Sequence, residues 1–384
     1  MSQQETRGST AGCRLRRVPQ RNFKADIPAA AKEQIKQLHR DRDNWHGLVF
    51  LALDWLVVAA AVAATIWSGF HLAVYLVAVV VIGSRQRALR SLLHEASHHK
   101  LVPNKRANLW VGRLLVAFPL LEGVSGYLCA HCEHHRHLWD TELDPKRRQY
   151  AALGIIRPRD PLRFTLRHLL RPLTLVHAPY NVLAALVGRD ENRRETWIRL
   201  TYLATLTAVA FATGWAAEAA LLWLVPYCTT YQIFRYWSDI ADHAGLEISD
   251  PWQATRSWTA PWLLRQLIAP HNANWHLGHH LYPSVPQHQL PRLDRILGAV
   301  PEYRDGHHCH GFVLPTRADR PSVVQDLLRP EKMAGYHNRE VRNDSRGVVL
   351  RALLGRPQSS TAAPSCADTC PLGTLGDLTS EGAR

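Results

Sequence analysis

Three histidine clusters dominate this chain: His94-x3-His98, His131-x2-His134-His135 and His276-x2-His279-His280. Residues three and four apart stand side by side on a helix, so each cluster makes one imidazole-bearing face. Eight imidazoles are too many for one tetrahedral zinc ion, which takes three or four protein ligands. They suit two adjacent metal ions of the imidazole-binding kind, iron foremost. With 22 histidines in 384 residues one His-x2-His-His is unsurprising, but two of them with an i,i+4 pair are not.

Two other chemistries compete for the same residues. His94-Glu95-x-x-His98 satisfies the zinc-protease pattern in which glutamate is the general base, and near a membrane segment it would suggest a membrane metalloprotease. That reading leaves both His-x2-His-His clusters unexplained. A metal transporter would carry histidines inside its spanning segments, whereas these follow such segments in polar surroundings. Cys129 and Cys132 flank His131, but no second C-x2-C pair follows, which argues against a thiolate site. The odd total of seven cysteines suggests a reducing compartment.

The elements that must position the histidines are apolar blocks. Gly47–Trp67 is apolar except for Asp54, and about 20 residues at 1.5 Å each cover a bilayer core of roughly 30 Å. Gly69–Gly83 is shorter and spans only if its helix continues toward Leu93. Leu200–Thr213 and Trp215–Phe234 form a second apolar pair, interrupted by Gly214 and Glu218. Lys32, Lys36, Arg40 and Arg42 precede the first pair, and Arg85, Arg87, Arg90, Lys100, Lys105 and Arg106 follow it. Arg189, Arg193, Arg194 and Arg199 precede the second pair and Arg235 follows, while the turns at Ser68-Gly69 and Gly214 carry no Lys or Arg. By the positive-inside rule both hairpins dip outward and return, leaving every histidine cluster on the cytoplasmic side.

The expected fold is therefore an all-α integral membrane protein: four spans in two hairpins, at about 47–67, 69–85, 199–213 and 215–234, under a cytoplasmic helical cap carrying the histidines. Residues 1–44 read as a cytoplasmic segment with a short surface helix in Ala29–His39. Residues 45–300 form the membrane domain, 301–354 a cytoplasmic segment and 355–384 a disordered tail. Leu109–Leu121 reads as re-entrant or interfacial, and Pro158–Asn192 as a basic, amphipathic stretch on the membrane surface. His307, His308, Cys309 and His310 read as a surface loop. Anionic lipid headgroups explain the net charge of +14, and no nucleic-acid-binding motif accompanies it.

In HEASHH (94–99), HCEHHRHLWDTELDP (131–145) and NWHLGHHLYPSVP (274–286) the chain resembles the membrane fatty-acid desaturases and their hydroxylase relatives, from about Trp45 to about Leu297. The third segment carries the resemblance furthest, with Tyr282, Pro283 and Pro286 all in pattern. Asp239-Ile-Ala-Asp-His243 is similar to the place where the family supplies one more histidine. The resemblance implies nine ligands to a non-haem diiron centre: His94, His98, His131, His134, His135, His243, His276, His279 and His280. It also implies O2 as co-substrate. Relatives often carry a water-bridging Asn where this chain has Asp239, and a small residue where it has Trp139. Asp239 and Asn274 are the further candidates for the cofactor's surroundings, with Glu95, Asp140, Asp144 and Asp242 as carboxylates that could orient imidazoles. His99 and His137 point off the shared faces.

The resemblance implies O2-dependent introduction of a carbon–carbon double bond into a fatty acyl chain, as acyl lipid or acyl thioester. Desaturation or hydroxylation of a small metabolite, such as an amino-acid-derived natural product, is the alternative. No cytochrome b5, ferredoxin-type or nucleotide-binding motif appears, so electrons come from a separate protein, such as a ferredoxin with its reductase. In a bacterium the chain would lie in the plasma membrane.

Overall fold

The computed structural model describes residues 22–40, 45–138, 144–147, 149, 160–186, 192–246 and 250–329. Trp139, Asp140, the stretch around Arg189 and the expected tail 355–384 lie outside the described residues.

The chain is mostly helical. In order it forms α1 (Ala29–Arg40), α2 (His46–Trp67), α3 (Leu72–Ser97), α4 (Lys105–Val111), α5 (Val124–Arg136), α6 (Pro161–Leu170), α7 (Ala178–Leu186) and α8 (Arg193–Ala212). There follow α9 (Ala216–Ala219), α10 (Val225–Cys228), α11 (Thr230–His243), β1 (Arg256–Thr259), α12 (Trp262–Ile268), α13 (His276–Leu281), α14 (Leu290–Leu297), α15 (Pro301–Arg304), β2 (His307–His310) and α16 (Val323–Leu327). The all-α expectation thus needs one correction. β1 and β2 pair in parallel, Arg256 opposite His307 and Thr259 opposite His310. His307–His310 is accordingly a strand, with His307 and Cys309 buried, and not a surface loop.

α2 and α3 make the first hairpin, closed at Gly69 and Phe70 with left-handed φ of 63° and 59°. Both helices are long and apolar enough to cross a membrane. The bent pair Lys105–Leu120 and Val124–Arg136, which meets at 88°, would raise the number to three if it counted as one span. The four-span expectation is therefore met only in its first hairpin by length and composition. α8 spends Arg193, Arg194, Glu195 and Arg199 in its first two turns. Its return partner is broken between α9 and α10 by a π turn over Ala220–Leu224. Pro226 accounts for that break, because its ring clashes with the carbonyl four residues back. The same logic places the π turn at Gly112–Ala117 just ahead of Pro119.

Asp54, the one acid in α2, is buried. It accepts from Arg85 Nη1 at 2.9 Å and from His271 Nε2 at 2.7 Å, tying the first hairpin to the loop before α13. α3 is the central element, packed by α2, α5, α11 and α12. Gly83 lets α11 approach it: a Cβ there would lie 2.0 Å from Thr230 Oγ1 and 2.9 Å from Tyr231 N. α1 is the expected amphipathic surface helix, exposed except for one stripe. It buries Ile35 and Leu38 against Leu290, Leu293 and Leu297 of α14, bracing the segment behind the third histidine cluster.

Candidate metal centre

Four helices deliver the nine histidines. α3 ends with His94 and His98, one turn apart, and is stopped by His99 at φ 54°. Asn108 secures that end, its Nδ2 donating to Ala96 O at 2.8 Å and its Oδ1 accepting from Leu101 N and Val102 N. α5 carries His131, His134 and His135. Its N-terminal amides, Val124 N and Ser125 N, are capped from α8 by the fully buried Glu195 at 2.9 and 3.1 Å, and Arg113 Nε donates to the same carboxylate at 3.1 Å. His243 closes α11, and His276, His279 and His280 line α13.

The imidazoles converge in two adjoining groups. In the first, the Nε2 atoms run His98–His131–His135–His279–His94, with successive separations of 2.9, 3.0, 2.9 and 2.9 Å. The five ligand atoms all lie within 4.8 Å of one another. In the second, His134, His243 and His280 gather within the same limit. His276 joins them, its Nε2 2.9 Å from that of His243 and 3.0 Å from that of His280. The groups touch where His135 and His280 stack, centroids 4.4 Å apart.

These separations bear on geometry. Two nitrogens each about 2.1 Å from one ion stand about 3.0 Å apart at a right angle and about 3.4 Å apart at the tetrahedral angle. Five donors at 2.9–3.0 Å spacings therefore fit a five- or six-coordinate ion better than tetrahedral zinc. Burial, reinforced by neighbouring imidazoles, holds His98, His131, His135 and His279 well below the usual histidine range, and does the same for His243, His276 and His280. All seven are neutral near pH 7, the form that ligates metal.

The surroundings orient the rings. Asp144 accepts from His134 Nδ1 at 3.0 Å, which leaves Nε2 for the metal. The Gln287 side-chain amide lies 3.2 Å from His94 Nδ1 and is anchored by Ser91 Oγ at 3.0 Å. Glu95 turns its Oε2 to the backbone amide of Gln287 at 3.0 Å, while its Oε1 lies 3.6 Å from His94 Nδ1, so its carboxylate braces the third-cluster loop beside that imidazole. Nothing in the sequence marked Gln287 beyond its place just after Pro286. Asp239 pairs with Lys146, and Asn274 Nδ2 donates to Trp258 O at 2.6 Å, pinning β1 to the loop before α13. Neither of these two side chains contacts a cluster histidine through those bonds. Burial pushes the Asp242 carboxyl up to about 7, against the pull of Arg87 and Lys146. Cys129 and Cys132 are both disulfide-bonded, where the sequence led us to expect thiols, and neither is a thiolate ligand. His137 sits off the groups, with Nε2 3.4 Å from Glu133 Oε2.

A cavity of about 190 Å³ opens onto both groups, lined by His94, His131, His134, His243, His276 and His279 among others. Elsewhere its wall carries Arg87, Arg90, Arg235 and Lys146 with Asp239 and Asp242, interleaved with Tyr127, Ala130, Pro145, Ala273 and Leu290. In the sequence these arginines count toward the positive-inside topology. They lie inside, Arg87 only 8% exposed. A signal was available, since Arg87, Arg90, Ser91, His94 and His98 repeat at helical spacing on one face of α3.

Two histidine groups that could hold metal ions stand beside membrane-type helices, and the sequence comparisons give the class of protein. The family model for fatty acid desaturases matches residues 70–312. The chain belongs to the fatty acid desaturase family. It is 28% identical over 313 residues to the dihydrorhizobitoxine desaturase of Bradyrhizobium elkanii, covering 77% of this chain and 88% of that one. It is 24% identical over 281 residues to a chloroplastic omega-3 fatty acid desaturase of Glycine max, covering 65% and 59%. A second such enzyme, from Ricinus communis, is 25% identical over 280 residues, covering 65% and 58%.

Proposed function

We propose that the protein is an O2-dependent desaturase that forms a carbon–carbon double bond in a small polar metabolite at a histidine-held pair of iron ions. The charged wall of the cavity beside the histidines carries this reading. A long alkyl chain calls for an apolar channel, whereas this wall presents four cations and two carboxylates. The family's fatty-acyl chemistry, expected from the sequence, is the second reading. It is favoured by the membrane-type helices and by relatives named for omega-3 fatty acids. One relative is named instead for dihydrorhizobitoxine.

Bound iron would supply the oxidising power that no side-chain acid or base can provide. The reaction balances as –CH2–CH2– plus O2, two electrons and two protons giving –CH=CH– plus two waters, with the electrons drawn from an external donor protein. The protein's own part is to hold nine imidazoles, fix the tautomer of His134 through Asp144, and place one carbon pair beside them. Purified protein incubated with polar and lipid extracts, reductase and ferredoxin tests this. A polar compound losing two mass units supports the reading, a gain of sixteen means hydroxylation, and desaturated lipid alone overturns it in favour of the acyl substrate.

The apolar side chains that α8 and the broken return helix expose, such as Leu206, Val209, Phe211 and Leu221, support a lipid-covered second hairpin. On that four-span arrangement, tags at the N-terminus, near Arg189 and at the C-terminus all report the cytoplasm, and a tag at Ser68 reports the outside. Termini on opposite sides would refute it.

A further inference from the structure

We infer that the cavity binds its substrate through a carboxylate held by Arg235, with Arg87 alongside; this rests on the small-metabolite reading above. Both arginines line the cavity that opens onto the histidines. Arg235 is the cation with unmet demand. Its side chain is 13% exposed, it makes no hydrogen bond among the described residues, and its one ion pair is a 3.8 Å contact with Glu122. Glu122 is already committed, because Arg90 Nη1 bonds the same Oε1 atom more closely. Among the described residues, the charged groups lining the cavity and their partners leave one positive charge over. Lys146 is matched by Asp239, Arg90 by Glu122, and Arg87 reaches Asp242 through Ser238, donating at 2.8 Å to an oxygen that lies 3.3 Å from Asp242 Oδ2. Arg235 remains.

A guanidinium has five N–H donors in a fixed fork, matched to a carboxylate in two parallel bonds. Leaving such donors unpaired in a mostly buried site is costly. Arg87 adds a second vacancy, its Nε buried without a partner. Arg235 stands one turn before Ser238, the residue that holds Arg87, so the two guanidiniums serve one part of the wall. The aromatic ring between this wall and the metal centre gives the scale. Arg90 sits 5.1 Å from the Tyr127 ring, and that ring stacks on His131 with centroids 5.6 Å apart. Tyr127 thus joins the arginine side of the cavity to the histidines, and in so small a cavity a carboxylate there suits a short chain and not a long acyl group.

The test has two arms. In the first, iron-loaded protein is titrated with sodium butyrate, and with butanol and butylammonium chloride at matched ionic strength. Butyrate is expected to raise the thermal midpoint by about 2–4 °C, and the other two to leave it unchanged. Arg235→Gln should lose the butyrate shift, and Arg235→Lys should retain part of it. In the second arm, the compound that loses two mass units in the extract assay is purified. Arg235→Gln should raise its KM at least about tenfold with iron content unchanged and kcat little altered. No butyrate shift in the parent protein overturns the carboxylate site. A desaturated small metabolite without an acidic group overturns it while leaving the proposed function standing, and desaturated lipid alone overturns both.

Discussion

Replacing His279 with alanine is expected to lower bound iron from about two ions per chain to about one and to abolish turnover. His279 Nε2 is 2.9 Å from the Nε2 atoms of both His94 and His135, so it stands inside the run of five donors. Alanine opens a gap that water fills without the same geometry or donor strength. The second group, centred on His134, His243, His276 and His280, keeps its donors. Metal analysis of protein purified from membranes decides the matter. Two ions retained with full turnover would remove His279 from the ligand set, and one stoichiometric zinc without iron would overturn the diiron reading. His39→Ala serves as the control: its Nδ1 bonds only the carbonyl of Ile35, at 2.8 Å, within α1.

The second large effect concerns a residue that touches no histidine. Glu195→Ala should destabilise the protein by about 3–5 kcal/mol, the usual consequence of removing one partner from a buried ion pair. Three donors lose their acceptor at once: Arg113 Nε, Val124 N and Ser125 N. Two of them are the first amides of α5, where a carboxylate also meets the positive end of the helix dipole. Because α5 feeds His131 and His135 to one group and His134 to the other, fraying at its start loosens both. The thermal midpoint should fall by on the order of 10 °C, and iron content should fall with it. Glu195→Gln, which keeps an acceptor, should lie between. An alanine variant that melts with the parent would show that α5 needs no such cap.

The histidine clusters were legible in the sequence because helical spacing converts directly into shared faces, and each face does end at the centre. His243 was legible only through the family resemblance. A single histidine after a carboxylate has no period of its own, and only tertiary packing brings α11 against α13. Gly83 shows why: its missing side chain sets the approach of α3 and α11, and no local pattern announces that. The β1–β2 pair was missed since Arg-Ser-Trp-Thr and His-His-Cys-His carry no alternation, and Arg256 and His307 are both held there by Asp326. The arginines of the cavity wall were misplaced for a different reason. The positive-inside rule counts basic residues without asking which way each one faces. Arg87, Arg90 and Arg235 satisfied the count while pointing inward. The broken second hairpin is legible in Pro226 alone, whose ring disturbs the turn before it.

The link from Asp54 to Arg85 and His271 bears on how the chain is made. Its partners emerge from the ribosome at different times. Arg85 follows within the same hairpin, but His271 lies 217 residues downstream. At ordinary elongation rates that gap lasts roughly 10–40 s. During it Asp54 has Arg85 for a partner but not His271, and a buried carboxylate is costlier with fewer partners. The loop that leads into the last three histidines thus supplies the final partner of the first hairpin's one acid, so the two parts of the chain complete each other.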